Sequence, residues 1–451
     1  MSAEAIRKAT GGVLVRGERE FEITGVSTDT RTITPGDLFV ALSGDKFDGH
    51  DYIHAALKAG ACGALYSKDF EIAPDENQKM LIKVGDTLTA LGEMARAYRR
   101  TLGATVIGIT GSNGKTTTKE MTRHLLGGRL QAVASPASFN NFIGLPLTLF
   151  KTDAATKVVV LEMGTNHPGE IARLAEIAQP DIGVITNVGR THLEGLGSLE
   201  GVAAAKGELL HALSRDGVAI LNADDPSLMK MRSLVSCKVF TFGIEAKADV
   251  FASRIERDDS GLSFYVNDSV RVRLNVRGTH NVYNALAAIS ICRRLGLDLA
   301  HLAARFADFK LPPMRLEERK VRSATVINDA YNANPESMAR AIEEFARRKA
   351  KRKFFIFADM LELGESAVDL HAELGRKAAL ANFDFYWALG CKSRYALEAV
   401  SKSGVPSARV RHFETIDDLG RELNTALSEG DAALIKGSRA MGLERILELL
   451  G

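Results

Sequence analysis

The stretch VIGITGSNGKTTTKE at residues 106–120 limits what this chain can fold into more than any other. An apolar, β-rich run enters a glycine-containing turn, and a Lys-Thr pair follows where a helix would start. That order predicts a strand, a phosphate-cradling loop and a helix, because backbone N–H groups at a helix N-terminus converge on one point and the helix dipole favours an anion there. The spacing departs from the usual P-loop. Ile109 stands where the first glycine belongs, with Gly108 one residue early and Gly111 two residues late. Lys115 would still place a positive charge on terminal phosphates, and the Thr116 hydroxyl would ligate magnesium. An ordinary strand–helix turn does not account for Lys115 and Thr116 together. The expected cradle is Gly111, Ser112, Asn113, Gly114, Lys115, Thr116 and Thr117.

A chain of 451 residues exceeds one hydrophobic core. Pattern changes divide it into three α/β domains, at residues 1–84, 85–313 and 314–451. The first mixes short strands (DLFVAL, LIKV) with one helix in YIHAALKAGACGALY. The second holds the loop and further short apolar runs, KVVVLEM and DIGVITNV, which read as strands buried on both faces of a parallel sheet. Hairpins with turns at Asp258–Gly261 and Asn267–Asp268 follow, then a helix starting at HNVYN. Two adjacent prolines in LPPM mark the next boundary. Strand–helix alternation then resumes through TVIND, FFIFADM, FYWALG and AALIKG, a second nucleotide-fold-like unit, with helices in PESMARAIEEFARR and MGLERILELL.

The formal net charge of +2 provides no general basic field, so nucleic acid and anionic membrane are not expected partners. Four dispersed cysteines form no CxxC pair, which argues against a zinc or disulfide framework and suits a reducing cytoplasm. MSAEAIRKAT lacks the apolar core of a signal peptide, and no run approaches the roughly 18 apolar residues of a membrane span. A cytoplasmic protein is expected.

Other candidates stand at strand ends and on helix faces. Glu162 ends VVVLE, where a carboxylate can bind magnesium; the bland reading is a solvated strand-end acid. His192 lies just past DIGVIT, at the same sheet edge. Lys206 is the oddity. In LEGVAAAKGELLHAL a 3.6-residue period puts Val202, Lys206, Leu209, Leu210 and Leu213 on one face, with Glu200, Glu208 and His211 opposite. Such a lysine either snorkels to water or carries a burial-depressed pKa, and a neutral amine can add carbon dioxide to become a carbamate. Asn281 and Asn284, three apart, could read a base edge or cap the helix. Arg315 follows the double proline, and Asp329 ends TVIND, where an acid can take ribose hydroxyls.

Assembled in order, these segments resemble the Mur ligases, the ATP-dependent amide-forming enzymes of peptidoglycan synthesis. The shortened loop TGSNGKT, STDTR, PGDLFVAL, LEMG, NVGRTHLEGLGS with AKGE, HNVYNALAA, PPMRLE, NDAYNANPESM, DMLELGE and KGSRAMGLE carry the likeness across the chain. The resemblance implies a central P-loop-type parallel-sheet ATPase domain, flanked by an N-terminal α/β UDP-binding domain and a C-terminal Rossmann-like α/β domain that closes on ATP. It implies two magnesium ions, held by Thr116, Glu162, His192 and a carbamylated Lys206. It further implies adenine contacts from Asn281 and Asn284, and phosphate and ribose contacts from Arg315 and Asp329. The uridine end would meet Ser27, Thr28, Asp29, Thr30, Arg31 and Phe47, with His50 nearby, and Asn140 and Asn141 would approach the muramoyl peptide. Within the family, SFNNFIGLP, NDAYNANPESM, DMLELGE and KGSRAMG are similar to a ligase that joins UDP-N-acetylmuramoyl-tripeptide to D-alanyl-D-alanine, whose dipeptide the third domain would recognise. A monomer is expected.

Overall fold

The computed structural model describes residues 1–71, 79–258 and 260–450. Their strands form three sheets. The first contains β1 (Val13–Arg16), β2 (Gly25–Ser27), β3 (Asp37–Val40), β4 (Gly63–Tyr66) and β5 (Met80–Lys83), in the order β1-β5-β4-β3-β2. Only the β1–β5 pair is antiparallel. The second has nine strands: β6 (Thr105–Thr110), β7 (Ala132–Ala134), β8 (Val158–Glu162), β9 (Ile182–Ile185), β10 (Val218–Asn222), β11 (Lys238–Gly243), β12 (Val250–Asp258), β13 (Gly261–Val266) and β14 (Val270–Leu274). Their order is β14-β13-β12-β11-β10-β9-β6-β8-β7, parallel from β7 to β12 and antiparallel in the hairpins beyond. The third sheet joins β15 (Glu317–Val321), β16 (Ala324–Asn328), β17 (Lys353–Ala358), β18 (Phe385–Leu389), β19 (Val410–Phe413) and β20 (Ala432–Lys436) in the order β15-β16-β20-β17-β18-β19.

Each parallel sheet is covered on both faces, which is why its strands read as unbroken apolar runs. In β17 all of Phe354, Phe355, Ile356 and Phe357 are fully buried, because helices pack on both sides. Phe355 stacks on Phe357 at 4.8 Å between ring centroids and meets Phe383 at 5.6 Å. Replacing Phe357 by alanine would leave a cavity that this aromatic layer cannot close. A loss of about 3–5 kcal/mol is expected in chemical denaturation followed through the C-terminal unit.

Two local readings change. The first unit has a helix at Ala3–Thr10 besides Ile53–Lys58. The Ser2 hydroxyl caps it at 3.2 Å from the Ala5 N–H, and Ala3 and Ile6 pack with Leu91 and Met94 of the helix Thr87–Arg99. The segment MGLERILELL is not one helix but two 3₁₀ turns and a short helix, Ile446–Leu449, because Gly442 takes φ +63°. Among the described residues no helix is long and apolar enough to cross a membrane. The functional consequence of the topology is positional: the carboxyl ends of β6, β8 and β9 and those of β16 and β20 open on one cleft.

Candidate active site

Strand β6 delivers the chain to Gly111 at φ +144° and Gly114 at φ +87°, just before the helix Lys115–Leu126. A Cβ at Gly111 would stand 1.9 Å from Thr186 Oγ1, and one at Gly114 would stand 2.3 Å from Asn284 Oδ1, so no side chain fits at either point. Ile109 lies inside the strand, fully buried, and plays no part in the turn. The loop is pinned by the segment after β9: Ser112 N–H donates to Asn187 O at 2.9 Å, Asn113 N–H to Asn187 Oδ1 at 2.9 Å, and Ser112 Oγ to Gly189 O at 3.0 Å. The first-turn N–H groups of Lys115, Thr116 and Thr117 lack intrahelical acceptors, as at every helix start, and these residues line the cleft. The Lys115 ammonium donates to Gly111 O at 2.7 Å. Burial draws its pKa down, the Glu162 carboxylate opposes that, and Arg315 adds to it.

Glu162 is 1% exposed at the end of β8. Its Oε2 accepts from Thr116 Oγ1 at 2.9 Å and its Oε1 from Asn140 Nδ2 at 2.9 Å. A hydroxyl and a carboxylate side by side at a phosphate loop fit a hard divalent cation. His192 takes φ +54° and sets Nδ1 2.5 Å from Glu362 Oε2, a carboxylate from the third unit, so Nε2 is the nitrogen that could take a ligand. Among the described residues no three His, Cys, Asp or Glu side chains gather as metal ligands. A second ion would therefore need an acid from elsewhere. Lys206 stands at the centre of the buried face of the helix Leu199–His211, 1% exposed, with no hydrogen bond or ion pair. Almost all of the side chain is enclosed, so little of its head can meet water. Desolvation, then the Lys115 charge, pushes its pKa well below the usual lysine value. A buried amine whose charged form is disfavoured fits carbamate formation. Lys206 does not itself line the cleft.

From the third unit, Arg315 reaches across. Its Nη2 donates to Thr116 Oγ1 at 2.9 Å, its guanidinium lies 4.0 Å over the Tyr331 ring, and its buried Nε has no partner. That orphan donor, on a guanidinium bonded to Thr116, fits an anionic ligand. Asp329 accepts from the nearly buried Lys436 Nζ at 2.6 Å and from the Leu316 N–H at 3.1 Å.

Asn281 and Asn284 line the cleft but are bonded within the helix start: Asn281 Nδ2 donates to Arg277 O at 2.6 Å and Asn284 Nδ2 to Asn281 Oδ1 at 3.1 Å. The main cleft is about 410 Å³, and a second cavity of about 430 Å³ adjoins it at Asn113, Gly114, His280, Asn284 and Arg340. Asn140 and Asn141 both line the main cleft, although Asn141 Oδ1 also caps the helix Gly144–Leu149 through the Gly144 N–H at 2.9 Å. The N-terminal candidates do not line it. Ser27 ends β2 and Thr28, Asp29, Thr30 and Arg31 follow it, with Asp29 Oδ2 paired to Arg31 at 2.6 Å, and Phe47 stands 71% exposed in the loop after β3. β2 and β3 run parallel, so both segments leave the first sheet from the carboxyl ends of their strands.

Sequence reasoning missed Lys119, Arg340, Glu362 and Lys436. Lys436 ends a strand, the signal that selected Glu162 and Asp329, and Lys119 sits four residues after Lys115 on one helix face. Glu362 lies within DMLELGE, where the resemblance assigns it no role, and nothing local marks Arg340.

The second and third units are tied by polar pairs besides Arg315–Thr116. Asn334 Nδ2 donates to Asn113 Oδ1 at 2.8 Å, and Arg190 meets both Glu336 and Glu373 at 3.1 Å. Hydrogen bonds from Arg190, then Lys377, lower the Glu373 pKa to about 2. A carboxyl group whose folded pKa lies below its unfolded value stabilises the folded arrangement above the unfolded pKa and loses that contribution as pH falls through the folded one. Acid from about pH 4.5 to 2 should therefore weaken this tie, and Glu373→Gln should remove that part of the acid sensitivity. Small-angle scattering against pH, on both proteins, is the check.

Family models match in three segments: "Mur ligase family, catalytic domain" at residues 22–99, "Mur ligase middle domain" at 109–292 and "Mur ligase, glutamate ligase domain" at 314–439. The chain belongs to the Mur ligase family. It is 38% identical to the UDP-N-acetylmuramoyl-tripeptide--D-alanyl-D-alanine ligase of Bacillus subtilis, over 94% of this chain and 93% of that one. With the enzyme of that name from Escherichia coli it shares 35% identity, over 96% and 94%. Crystal structure I of MurF from Acinetobacter baumannii superposes with a TM-score of 0.90 at 30% identity, covering 100% of this chain and 98% of that one.

Proposed function

We propose that this chain is the ADP-forming ligase that adds D-alanyl-D-alanine to UDP-N-acetylmuramoyl-tripeptide through an acyl phosphate. The observation that carries the reading is the single cleft in which Lys115, Thr116 and Glu162 face Arg315, Asp329 and Lys436 from the other unit. The relatives at 38% and 35% identity bear that enzyme's name along nearly their whole length.

The chemistry starts from a carboxylate, which is a poor electrophile. An oxygen of the peptide carboxylate attacks the ATP γ-phosphorus, the bond to the bridging oxygen breaks, and ADP leaves. Lys115 and the Arg315 guanidinium bind the oxygens on which charge builds, and the loop N–H groups orient them. Magnesium bound here supplies further charge neutralisation; Thr116 and Glu162 would hold one ion, and His192 with a carbamylated Lys206 the second. The amine of D-alanyl-D-alanine then attacks the acyl carbon, the C–O bond to phosphate breaks, and the nitrogen loses a proton. Asn140 orients Glu162 throughout. Carbamylation of Lys206 consumes its uncharged amine and one carbon dioxide and releases one proton. The first unit, with Ser27–Arg31 and Phe47, would carry the UDP end, and the third would bind the incoming dipeptide.

The test is ADP release with UDP-muramoyl-tripeptide against a panel of amines: D-alanyl-D-alanine, single D-amino acids and a diamino acid. Turnover should require the acceptor and be fastest with the dipeptide. Turnover without any amine would instead identify a kinase that stops at phosphoryl transfer.

A further inference from the structure

The helix behind the phosphate loop carries a second lysine that the chemistry above leaves idle. Lys119 is 0% exposed, one turn beyond Lys115. Its Nζ donates to Ser135 O at 2.6 Å and Ala137 O at 2.5 Å, and stands 3.2 Å from Glu120 Oε1 and 3.8 Å from Glu162 Oε2. Two carbonyls two residues apart converge on one point because Ala137, a non-glycine residue, takes φ +45°. That backbone is unfavourable unless something holds it.

The same segment supplies the groups around Glu162. Ser135 Oγ accepts from the Glu162 N–H at 3.2 Å, and Asn140 Nδ2 donates to Glu162 Oε1 at 2.9 Å. Asn140 O accepts from the Gly164 N–H at 2.9 Å, and a Cβ at Gly164 would press on the Asn140 amide at 2.9 Å. Ser138, Asn140 and Asn141, from this segment, line the cleft beside Lys115 and Glu162.

We infer that Lys119 is a positioning residue: its buried ammonium fastens residues 135–141 to the phosphate-loop helix, and through Asn140 it sets the Glu162 carboxylate and the acceptor side of the cleft in register with the bound phosphates. Removing the ammonium leaves two carbonyls and two carboxylates facing an apolar stem, so the segment should leave its left-handed turn while the loop, pinned by Asn187 and Gly189, stays in place. The inference rests on the ligase reading only for the activity that is assayed.

The test is Lys119→Met, which keeps the stem, together with Asn140→Ala. Lys119→Met should raise the KM for UDP-muramoyl-tripeptide about tenfold or more and lower kcat. The Kd for ADP alone should move less than about threefold, and amide exchange should quicken over residues 135–141 but not in β6. Asn140→Ala should give the same split, and the double variant should be no worse than the more impaired single one, because both act through one chain of contacts. Equal changes in the acceptor KM and the ADP Kd, or additive losses in the double variant, would overturn it. Should Lys119→Met fail to fold, Asn140→Ala decides alone, and an unchanged acceptor KM there refutes the chain. If the wild type ligates no amine, the ligase reading has failed, and ADP binding and amide exchange still decide the role of Lys119.

Discussion

Lys115→Ala is expected to abolish ligation, with kcat falling by about 10³-fold or more, while the fold survives. The magnitude follows from what the residue faces. Its ammonium is the cation at the helix start in the cleft, where removing one preorganised charge-stabilising group costs about 10²–10³-fold. The added loss reflects a phosphate that is no longer centred over Thr116 and the loop N–H groups. The fold survives because the ammonium's bond to Gly111 O is lost while the loop stays pinned through Thr186, Asn187 and Gly189. A thermal melt close to that of the wild type, with no acceptor-dependent ADP release, is the expected pair of results. Near-normal ligation by the variant would remove the phosphate assignment.

The second large effect belongs to Lys206. Lys206→Ala should lose about 10²-fold or more of the activity, and short carboxylic acids such as acetate or propionate should restore part of it by standing where the carbamate would. The structure supports the prerequisite, an amine buried, unpartnered and drawn to its uncharged form beside Lys115. Carbon-13 NMR of wild-type protein equilibrated with labelled carbon dioxide should show a carbamate signal that Lys206→Ala lacks. No such signal, together with no rescue, would count against the carbamate and against a second metal ion held with His192.

The legible and the hidden parts of this site differ in the range of the contacts that make them. The phosphate loop, Glu162 and Asp329 could be read because a strand end followed by a loop puts a side chain on the ligand edge of a parallel sheet, whatever else the chain does. Lys206 could be read because a 3.6-residue period places it among leucines, and the helix buries that face. Other features depend on partners far away in sequence. His192 meets Glu362, Arg190 meets Glu336 and Glu373, and Asn113 meets Asn334, all through docking of units that no local pattern encodes. Asn281 shows the reverse case: it lines the cleft, but its amide turns back to Arg277 O, a choice that spacing alone leaves open between a cap and a base reader. Lys119 stands out only once the turn at Ala137 brings carbonyls to it. The helix Ala3–Thr10 buries only Ala3 and Ile6, too few apolar positions to show a period.

The central claim is that phosphate held at Lys115 passes to a peptide carboxylate before the amide forms. UDP-muramoyl-tripeptide labelled with oxygen-18 in its terminal carboxylate tests it most directly, by mass spectrometry of the inorganic phosphate released during ligation to D-alanyl-D-alanine. An acyl phosphate predicts one labelled oxygen in each phosphate formed. Phosphate free of label, with amide still produced, would contradict it.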